Sequence, residues 1–349
     1  MPHAAADGFA MPPEWSPQTA VWMSWPVDDP RHWGGAKREL IHDRFAALAA
    51  AISHFQTVRI NANPGSADAI RERCLKAKAA PENLEIYEHP HNDVWCRDHG
   101  PIFLRNPQTG AKAISDWGFN AWGGKFPPWD ADDAIPRRIA ETLGLPIYKG
   151  GMILEGGAIE INGLGQLLTT EAVLLNPNRN PQLDRGTIEN KLRETLGIRE
   201  VLWLEKGIEG DDTDGHIDDL ARFCADEWIV ACTEEDRGSP NHPVLAANLS
   251  RLRNFHTPSG RPFEIVEMPM PAACEVPGWR LPLLPASYVN FLIINHAVLV
   301  PTFRQHQNDD RACGILRELF PGREVIGIDA LDLVEEGGTL HCLTQQEPA

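Results

Sequence analysis

One arrangement of predicted elements recurs along this chain and restricts its fold more than any other feature. Each copy consists of a polar motif, a β-hairpin, a helix and a short apolar strand. An internal repeat indicates structural units that pack against one another to bury a shared core. With 349 residues, 42% of them hydrophobic, the chain can bury either two ordinary domains or one large closed fold.

The clearest copy follows Glu155 and is predicted from local signals. Asn162-Gly163 is typical of a hairpin turn. Asp184 suits the start of a helix, and Gly197 suits its end, because glycine accepts the left-handed conformation there. The predicted elements of this copy are strands 158–161, 167–175 and 200–204 and a helix 184–195.

Three further copies follow the same order of hairpin, helix and closing strand. Their predicted elements are 101–104, 111–117, 132–143 and 146–148; 220–224, 228–232, 242–255 and 263–266; and 288–294, 297–303, 309–319 and 324–327. An extra helix and strand, predicted at 67–78 and 84–87, precede the first full copy and have no counterpart in the others.

A fifth copy is split between the two ends of the sequence. The predicted strand 340–344 carries Cys342 and has no hairpin partner after it. The N-terminal segment supplies the missing parts, with a strand at 20–25, a helix at 40–55 and a strand at 58–60. We therefore predict an α/β fold in which five ββαβ units form a ring that is closed by pairing of the N- and C-terminal segments. Such closure leaves no exposed edge strand, as in propellers and barrels.

A closed ring, as one domain spanning residues 1–349, would bring the polar motifs of all five copies to a common axis. Equivalent positions of repeated units face the same way, so these residues would line one central pocket although they are distant in sequence. The polar residues at the start of the copies are Asp98, Glu155, His216 with Asp218, Asn290 and Cys342.

The chemistry of this set favours a cationic ligand. Buried carboxylates without a basic partner are costly, unless the ligand itself carries the positive charge. Several carboxylates around a planar guanidinium can accept several N–H bonds at once. Cys342 could then attack the guanidinium carbon while His216 moves protons.

Each of these residues also has a simpler interpretation. Cys342 alone could be a small buried apolar residue. His216 and Asp218 could form a loop hydrogen bond or half of a metal site, although no third ligand stands at the usual spacing. The motifs at Asp98 and Glu155 are typical of turns, and Asn290 could bond to the backbone at a strand end. The argument for a site therefore depends on all of them occupying the same place in the repeat.

Charge and cysteine content narrow the class of protein. The net charge of −17 disfavours binding to nucleic acid and to anionic membranes and favours cationic ligands, although solubility alone also explains it. The seven cysteines are an odd number without a C-x-x-C pair, which indicates a reducing cytoplasm rather than a disulfide framework or a zinc ribbon. The sequence has no signal-peptide pattern and no apolar run approaching about 18 residues, so we expect a cytoplasmic protein without a membrane span.

The motifs resemble those of agmatine deiminases. That family belongs, with the bacterial-type peptidylarginine deiminases, to the guanidine-modifying superfamily, whose fold is a five-bladed α/β propeller, the pentein fold. The resemblance extends over about residues 15–348, and it implies the same pseudo-fivefold architecture here. The motifs that carry it are Trp-x-Arg-Asp-x-Gly-Pro at 95–101, Phe-Asn-Ala-Trp-Gly-Gly at 119–124, Glu-Gly-Gly at 155–157, Asn-Pro-Asn-Arg-Asn-Pro at 176–181, Asp-Thr-Asp-Gly-His-Ile-Asp at 212–218, Ala-Ser-Tyr-Val-Asn-Phe at 286–291 and Gly-Gly-x-x-His-Cys-x-Thr-Gln-Gln at 337–346.

The resemblance implies four catalytic residues. Cys342 would be the nucleophile, Asp98 and Asp218 would hold the guanidinium, and His216 would be the general acid and base. The implied reaction converts agmatine and water to N-carbamoylputrescine and ammonia through a covalent thiouronium on the cysteine, with no metal and no organic cofactor.

The resemblance also implies a set of substrate-binding residues. Trp95 and Trp122 would form walls around the aliphatic chain, and Asp212 would meet the distal amine. Asn290 would lie near the nucleophile, and Glu155 is a further candidate ligand. The sequence departs from the usual family pattern near the nucleophile, with Glu336 in place of a glycine and Thr339 in place of an asparagine.

Two other functions stay open at this point. The enzyme could deiminate another guanidine, such as peptidyl arginine or a small arginine derivative, although the carboxylate of arginine would want a basic partner in the pocket. Alternatively, the chain could be a non-catalytic propeller that binds polyamines. The sequence leaves open whether the protein forms a homo-oligomer, and whether it serves putrescine synthesis or agmatine breakdown.

Overall fold

In the described part of this protein, the strands are arranged in five separate sheets. The computed structural model describes residues 3–29, 32–276, 278 and 283–349. Within them the strands are β1 (Gln18–Ser24), β2 (Thr57–Ala62), β3 (Leu84–Glu88), β4 (Ile102–Arg105), β5 (Lys112–Gly118), β6 (Ile147–Ile153), β7 (Glu160–Ile161), β8 (Gln166–Thr170), β9 (Glu200–Leu204), β10 (Ala221–Ala225), β11 (Trp228–Thr233), β12 (Glu264–Pro269), β13 (Leu292–Ile294), β14 (Ala297–Thr302), β15 (Glu324–Asp329) and β16 (Thr344–Pro348).

Helices connect the strands. The α-helices are α1 (Arg38–Ser53), α2 (Ala67–Lys76), α3 (Cys96–His99), α4 (Ala121–Gly124), α5 (Asp130–Asp133), α6 (Ile135–Leu143), α7 (Glu171–Leu174), α8 (Arg185–Leu196), α9 (Asn241–Leu252) and α10 (His306–Leu319), and the short 3₁₀ helices are His32–Gly34, Pro81–Asn83, Gly156–Ala158, Ile217–Asp219 and Val334–Glu336. In the part of the chain that the structure describes, no helix is both long and apolar enough to span a membrane.

Four of the sheets share one strand order. In each, the first two strands pair antiparallel and the second and third pair parallel, as in β4-β5-β6, β7-β8-β9, β10-β11-β12 and β13-β14-β15. A helix, α6, α8, α9 or α10, lies between the two parallel strands in the sequence, because parallel neighbours need a crossover connection. The predicted α/β class and the repeated order of hairpin, helix and strand are confirmed.

The fifth sheet joins the two ends of the chain. Its order is β16-β1-β2-β3, with β16 antiparallel to β1 and Met23 opposite Thr344. Side chains anchor the last strand as well: Glu347 accepts hydrogen bonds from Trp22 Nε1 at 3.0 Å and from Lys112 Nζ at 2.6 Å. The C-terminal segment is therefore held in place, and so is the turn that precedes it.

Local signals account for the elements that the sequence predicts most closely. The carboxylate of Asp184 accepts a hydrogen bond from Thr187 N at 2.8 Å and caps α8, and Gly197 ends that helix with a φ of 69°. The Asn162 side chain accepts from the backbone of Leu164 and Gln166 and so shapes the hairpin turn. The strand predicted at 200–204 is observed as β9 with the same bounds.

Several strand predictions are wrong in length: the strand predicted at 146–148 extends to Ile153, and the one predicted at 158–161 begins only at Glu160. The strand predicted at 167–175 ends at Thr170, because the Thr170 hydroxyl accepts a hydrogen bond from Val173 N at 3.3 Å and starts α7. The strand predicted at 288–294 begins only at Leu292. Asn290 therefore lies before the strand, where its side chain is available to the neighbouring turn.

The prediction that Cys342 lies on a strand is also wrong. Residues 340–343 form a turn, in which Leu343 N donates to Thr339 O at 3.1 Å and Thr344 Oγ1 donates to Leu340 O at 2.8 Å. β16 starts only at Thr344. The physical reason is that the backbone groups of this segment bond within the turn or make single contacts outside it, His341 N with Asn290 and Cys342 O with Arg97 N, and so form no ladder with a strand.

Candidate active site

The Cys342 thiol is held by its own turn and by Asn290. The Asn290 carbonyl oxygen Oδ1 accepts from the backbone N–H of His341 at 3.1 Å and from Thr339 Oγ1 at 2.6 Å. Its amide Nδ2 donates to Cys342 Sγ at 3.1 Å. Asn290 thus fixes the turn and contacts the sulfur, and Thr339, which departs from the usual family pattern, is one of the groups that orient it.

Two carboxylates and one histidine lie beside the thiol. Asp218 Oδ2 is 3.6 Å from Cys342 Sγ, and His216 Nδ1 is 3.6 Å from Asp98 Oδ1. A methyl group on Gly157 would lie 2.6 Å from His216 Nδ1, 2.8 Å from Asp98 Oδ1 and 3.2 Å from Asp218 Oδ2. The three side chains therefore meet at one point, although they come from α3 and from the segment around the 3₁₀ helix Ile217–Asp219.

Several polar atoms in this cluster have no partner within the protein. Among the described residues, neither ring nitrogen of His216 makes a hydrogen bond, and nor does Asp218 Oδ1, although all three are buried. Buried polar groups are normally satisfied, so such atoms at one point indicate a ligand with several hydrogen-bonding groups. Because two of the side chains are acidic, that ligand should be a cation.

Electrostatics disfavour the thiolate form of Cys342. Burial and the carboxylates of Asp218 and Asp219 raise the pKa of the Cys342 thiol well above its ordinary value. Burial also raises the pKa of Asp98, to about 6. Burial alone would lower the pKa of His216, but the charges of Asp98 and Asp218 outweigh it and raise that pKa. A bound cation would oppose the field of these carboxylates and favour the thiolate.

Aromatic side chains form the walls of the pocket above the thiol. Its lining includes Trp95, Trp122, Phe126 and Asp212 together with Asp98 and Cys342. Trp122 Nε1 donates to Asp98 Oδ2 at 3.0 Å, so this wall also orients a carboxylate. Asp212 lies on the lining, and its backbone carbonyl accepts from Lys125 Nζ at 2.6 Å.

Glu155 has a different position from the other predicted residues. Its side chain is completely buried, and Oε1 accepts from Arg179 Nε at 2.7 Å. Arg179 also pairs with Asp214. Glu155, like His216, Asp218 and Asn290, is not among the residues that line the pocket, and its charge acts on His216 and Asp98.

Three residues of this arrangement were not among the sequence candidates. His341 contacts Asp218, Glu14 contacts His341, and Gly157 makes room for the cluster. His341 and Gly157 stand inside the motifs at 337–346 and 155–157, so their position beside Cys342 and Glu155 was a usable signal. Glu14 carried none, because its partners Arg222 and His341 lie more than 200 residues away in sequence.

Comparisons with known proteins identify the family of this chain. The family model of the Porphyromonas-type peptidyl-arginine deiminases matches residues 10–348. The chain belongs to this family of deiminases.

Relatives that match nearly the whole chain include agmatine deiminases. That of Pseudomonas fluorescens is 37% identical over 366 residues, covering 99% of this chain and 96% of the relative. The solved structure of the Enterococcus faecalis agmatine deiminase superposes with a TM-score of 0.92 at 33% identity and covers 100% of this chain and 98% of its own. The resemblance to this family is confirmed. DDAH from Pseudomonas aeruginosa, at 13% identity and a TM-score of 0.51 over 95% of this chain and 99% of its own, shares the fold alone.

A substitution of Gly157 tests whether the cluster is as crowded as the distances indicate. Gly157→Ala should lower kcat/KM by about a hundredfold, because the new methyl group must displace His216 and Asp98 by a fraction of an ångström. Steady-state kinetics with agmatine measure this loss. The matched control is Gly314→Ala in α10, where no atom lies within 4 Å of the new methyl group. The control should keep full activity, and a Gly157→Ala protein that did so too would contradict the predicted crowding.

Proposed function

We propose that this protein is an agmatine deiminase, a hydrolase that acts on a C–N bond of a linear amidine. The observation that carries the proposal is the meeting of Cys342 with Asp98, Asp218 and His216 at one buried point. The site offers a nucleophile, acceptors for a cation and a group that transfers protons, as hydrolysis of a guanidinium requires. The family and the agmatine deiminases among its relatives support the same reaction.

In the first half of the reaction, the guanidinium binds between Asp98 and Asp218, which accept its N–H bonds. Its positive charge lowers the pKa of the Cys342 thiol, which burial and the acids otherwise raise. The thiol then releases its proton to solvent, and the resulting thiolate forms a C–S bond to the guanidinium carbon. His216 gives a proton to the departing nitrogen, ammonia leaves, and a thiouronium remains on the cysteine.

In the second half, water attacks the thiouronium carbon while neutral His216 accepts a proton from it. The C–S bond breaks, the thiolate is regenerated and N-carbamoylputrescine leaves. His216 is thus an acid first and a base second, which suits a side chain next to two carboxylates. The aromatic walls Trp95 and Trp122 would enclose the aliphatic chain, and Asp212 would meet the distal ammonium.

The charges of the pocket favour agmatine over substrates that carry a carboxylate. Among the residues that the structure describes, no lysine or arginine lines the pocket, whereas Asp93, Asp98, Asp212 and Glu336 do. An arginine carboxylate would meet this negative field, while the terminal ammonium of agmatine would be attracted by it.

A colorimetric assay for ureido products across several guanidines tests the proposal. We expect kcat/KM for agmatine to exceed the values for free arginine and for an arginine-containing peptide by at least about a hundredfold, because agmatine alone combines the guanidinium with a terminal ammonium that acids of the pocket attract. A preference for the peptide would favour peptidyl-arginine deimination instead. Binding of agmatine without release of ammonia would favour a non-catalytic polyamine-binding protein.

Three structural and cellular features form part of the proposal. The five sheets are taken to be the blades of a pseudo-fivefold α/β propeller with the site at its axis, and the chain to be a single domain. The shared strand order and the pairing of β1 with β16 support this. A cytoplasmic location is supported by the cysteines, all seven of which are free thiols in the structure.

A further inference from the structure

His341 lies between two carboxylates behind the proposed catalytic cluster. Its Nδ1 is 2.7 Å from Asp218 Oδ2, and its Nε2 is 2.8 Å from Glu14 Oε2. We propose that His341, as a doubly protonated imidazolium, is a positioning residue that orients Asp218 and keeps it ionised for the guanidinium. The assignment rests on the proposed function, because it gives Asp218 the task of binding substrate.

The protonation state of His341 follows from its two contacts. A neutral imidazole donates from one nitrogen only, and the other nitrogen would then face the lone pairs of a carboxylate. Glu14 has no proton to offer, since its carboxylate accepts from Arg222 Nη2 at 2.8 Å and from Ile293 N at 2.7 Å. Burial alone would raise the pKa of Glu14, but the charges of Arg222, His341 and Arg97 together outweigh burial and lower it strongly. Both ring nitrogens of His341 therefore donate.

The hydrogen bond from His341 leaves one oxygen of Asp218 for the substrate. His341 engages Oδ2, which is also the oxygen 3.6 Å from Cys342 Sγ. Oδ1 is buried and makes no hydrogen bond to any described residue. A carboxylate held by one oxygen cannot rotate freely, so its second oxygen has a defined direction in which to accept a guanidinium N–H.

The charge of His341 is needed because Asp218 has acidic neighbours. The ionisable groups that face Asp218 are His341, His216, Asp98, Asp211, Asp219, Cys342, Arg97 and Arg222. Burial alone would raise the pKa of Asp218, but the hydrogen bond and charge of His341 outweigh it and lower that pKa. Asp219 shows the opposite outcome: burial and the charge of Asp218 raise its pKa well above the ordinary value. Without His341, Asp218 would lose the largest of the effects that lower its pKa, so that pKa should rise.

Two alternative roles for His341 can be separated from this one. Glu14, Glu160 and His341 lie close enough together to ligate a metal ion. However, the guanidinium of Arg222 already donates to both glutamates, at 2.8 Å and 2.7 Å, and supplies the positive charge there. The other alternative is that His341 merely ties the C-terminal turn to the N-terminal segment through Glu14.

Two amide variants distinguish positioning from a structural tie. In His341→Asn the amide nitrogen can take the place of Nδ1 and still donate to Asp218, whereas in His341→Gln it takes the place of Nε2 and can donate only to Glu14. Both variants lose the charge, so the acid limb of kcat/KM for agmatine should move upward by at least about one pH unit. At neutral pH His341→Asn should keep at least about tenfold more activity than His341→Gln. An unmoved acid limb, or a glutamine variant as active as the asparagine variant, would overturn the assignment.

A binding measurement tests the positioning role of His341 without turnover. In the Cys342→Ser background, the pH below which agmatine binding weakens, measured by calorimetry, should rise by at least about one unit when His341→Asn is added. Binding with an unchanged pH dependence would refute the positioning role. An unsubstituted enzyme that releases no ammonia from agmatine would contradict the proposed function and this role together, whereas an active one with unshifted variants contradicts only the role of His341.

Discussion

Cys342→Ser should lower kcat for agmatine hydrolysis by at least about a thousandfold while the protein stays folded. A serine hydroxyl is a far weaker acid than a thiol, and the carboxylates of Asp218, Asp219 and Asp98 disfavour an anion at this position further. The guanidinium still has both acceptors, so calorimetry should show that the variant binds agmatine. Ammonia release measures the loss of turnover.

The control for this substitution is Cys313→Ser in α10. Cys313 is buried like Cys342 but lies outside the pocket lining. This variant should lose about 1–3 kcal/mol of unfolding free energy, because it buries a hydroxyl, and should keep its kcat. Turnover by Cys342→Ser near that of the unsubstituted enzyme would exclude covalent catalysis by this cysteine.

The second large effect is expected at His216. His216→Gln should lower kcat by about 10²–10⁴-fold, the usual contribution of a positioned general acid and base. Both halves of the proposed reaction use this side chain, so neither the release of ammonia nor the release of the ureido product should survive. Rapid-quench measurement of ammonia separates the two halves, and His54→Gln, a substitution on the exposed end of α1, should leave both unchanged.

The pH profile gives an independent check on His216. The acids around it raise the pKa of His216 against the effect of burial. Since the protonated form must donate to ammonia, kcat should fall as pH rises through that pKa, which lies above the ordinary value of about 6.5. The basic limb should disappear in His216→Gln. A limb of the same midpoint in the variant would assign it to another group.

Much of the secondary structure could be predicted because its causes are local. The cap at Asp184, the left-handed Gly197 and the hairpin turn at Asn162 depend only on neighbouring residues. The errors arose where a side chain diverted the backbone, as Thr170 does at the start of α7. The turn at 340–343 was mistaken for a strand because its apolar residues match either structure, and only the contacts to Asn290 decide between them.

The sequence predicted which residues lie in the cluster, but not which contacts they make with one another. Asp98, His216, Asp218, Asn290 and Cys342 were found from their shared place in the repeat, and the structure brings all of them together. The pairing of Glu155 with Arg179 was not foreseen, because each residue alone fits many roles.

The sequence by itself determined the order of the elements, the α/β class and the kinds of side chain available for chemistry, since turns, caps and apolar alternation act over a few residues. Only the tertiary structure decided that Cys342 lies beside Asp218. It also decided that His341 holds Oδ2 of Asp218 and that Oδ1 is left for a substrate. The reason is physical: the link from Asp218 through His341 to Glu14 joins residues 123 and 327 positions apart. Such contacts exist only once the sheets have packed and the two ends of the chain lie side by side.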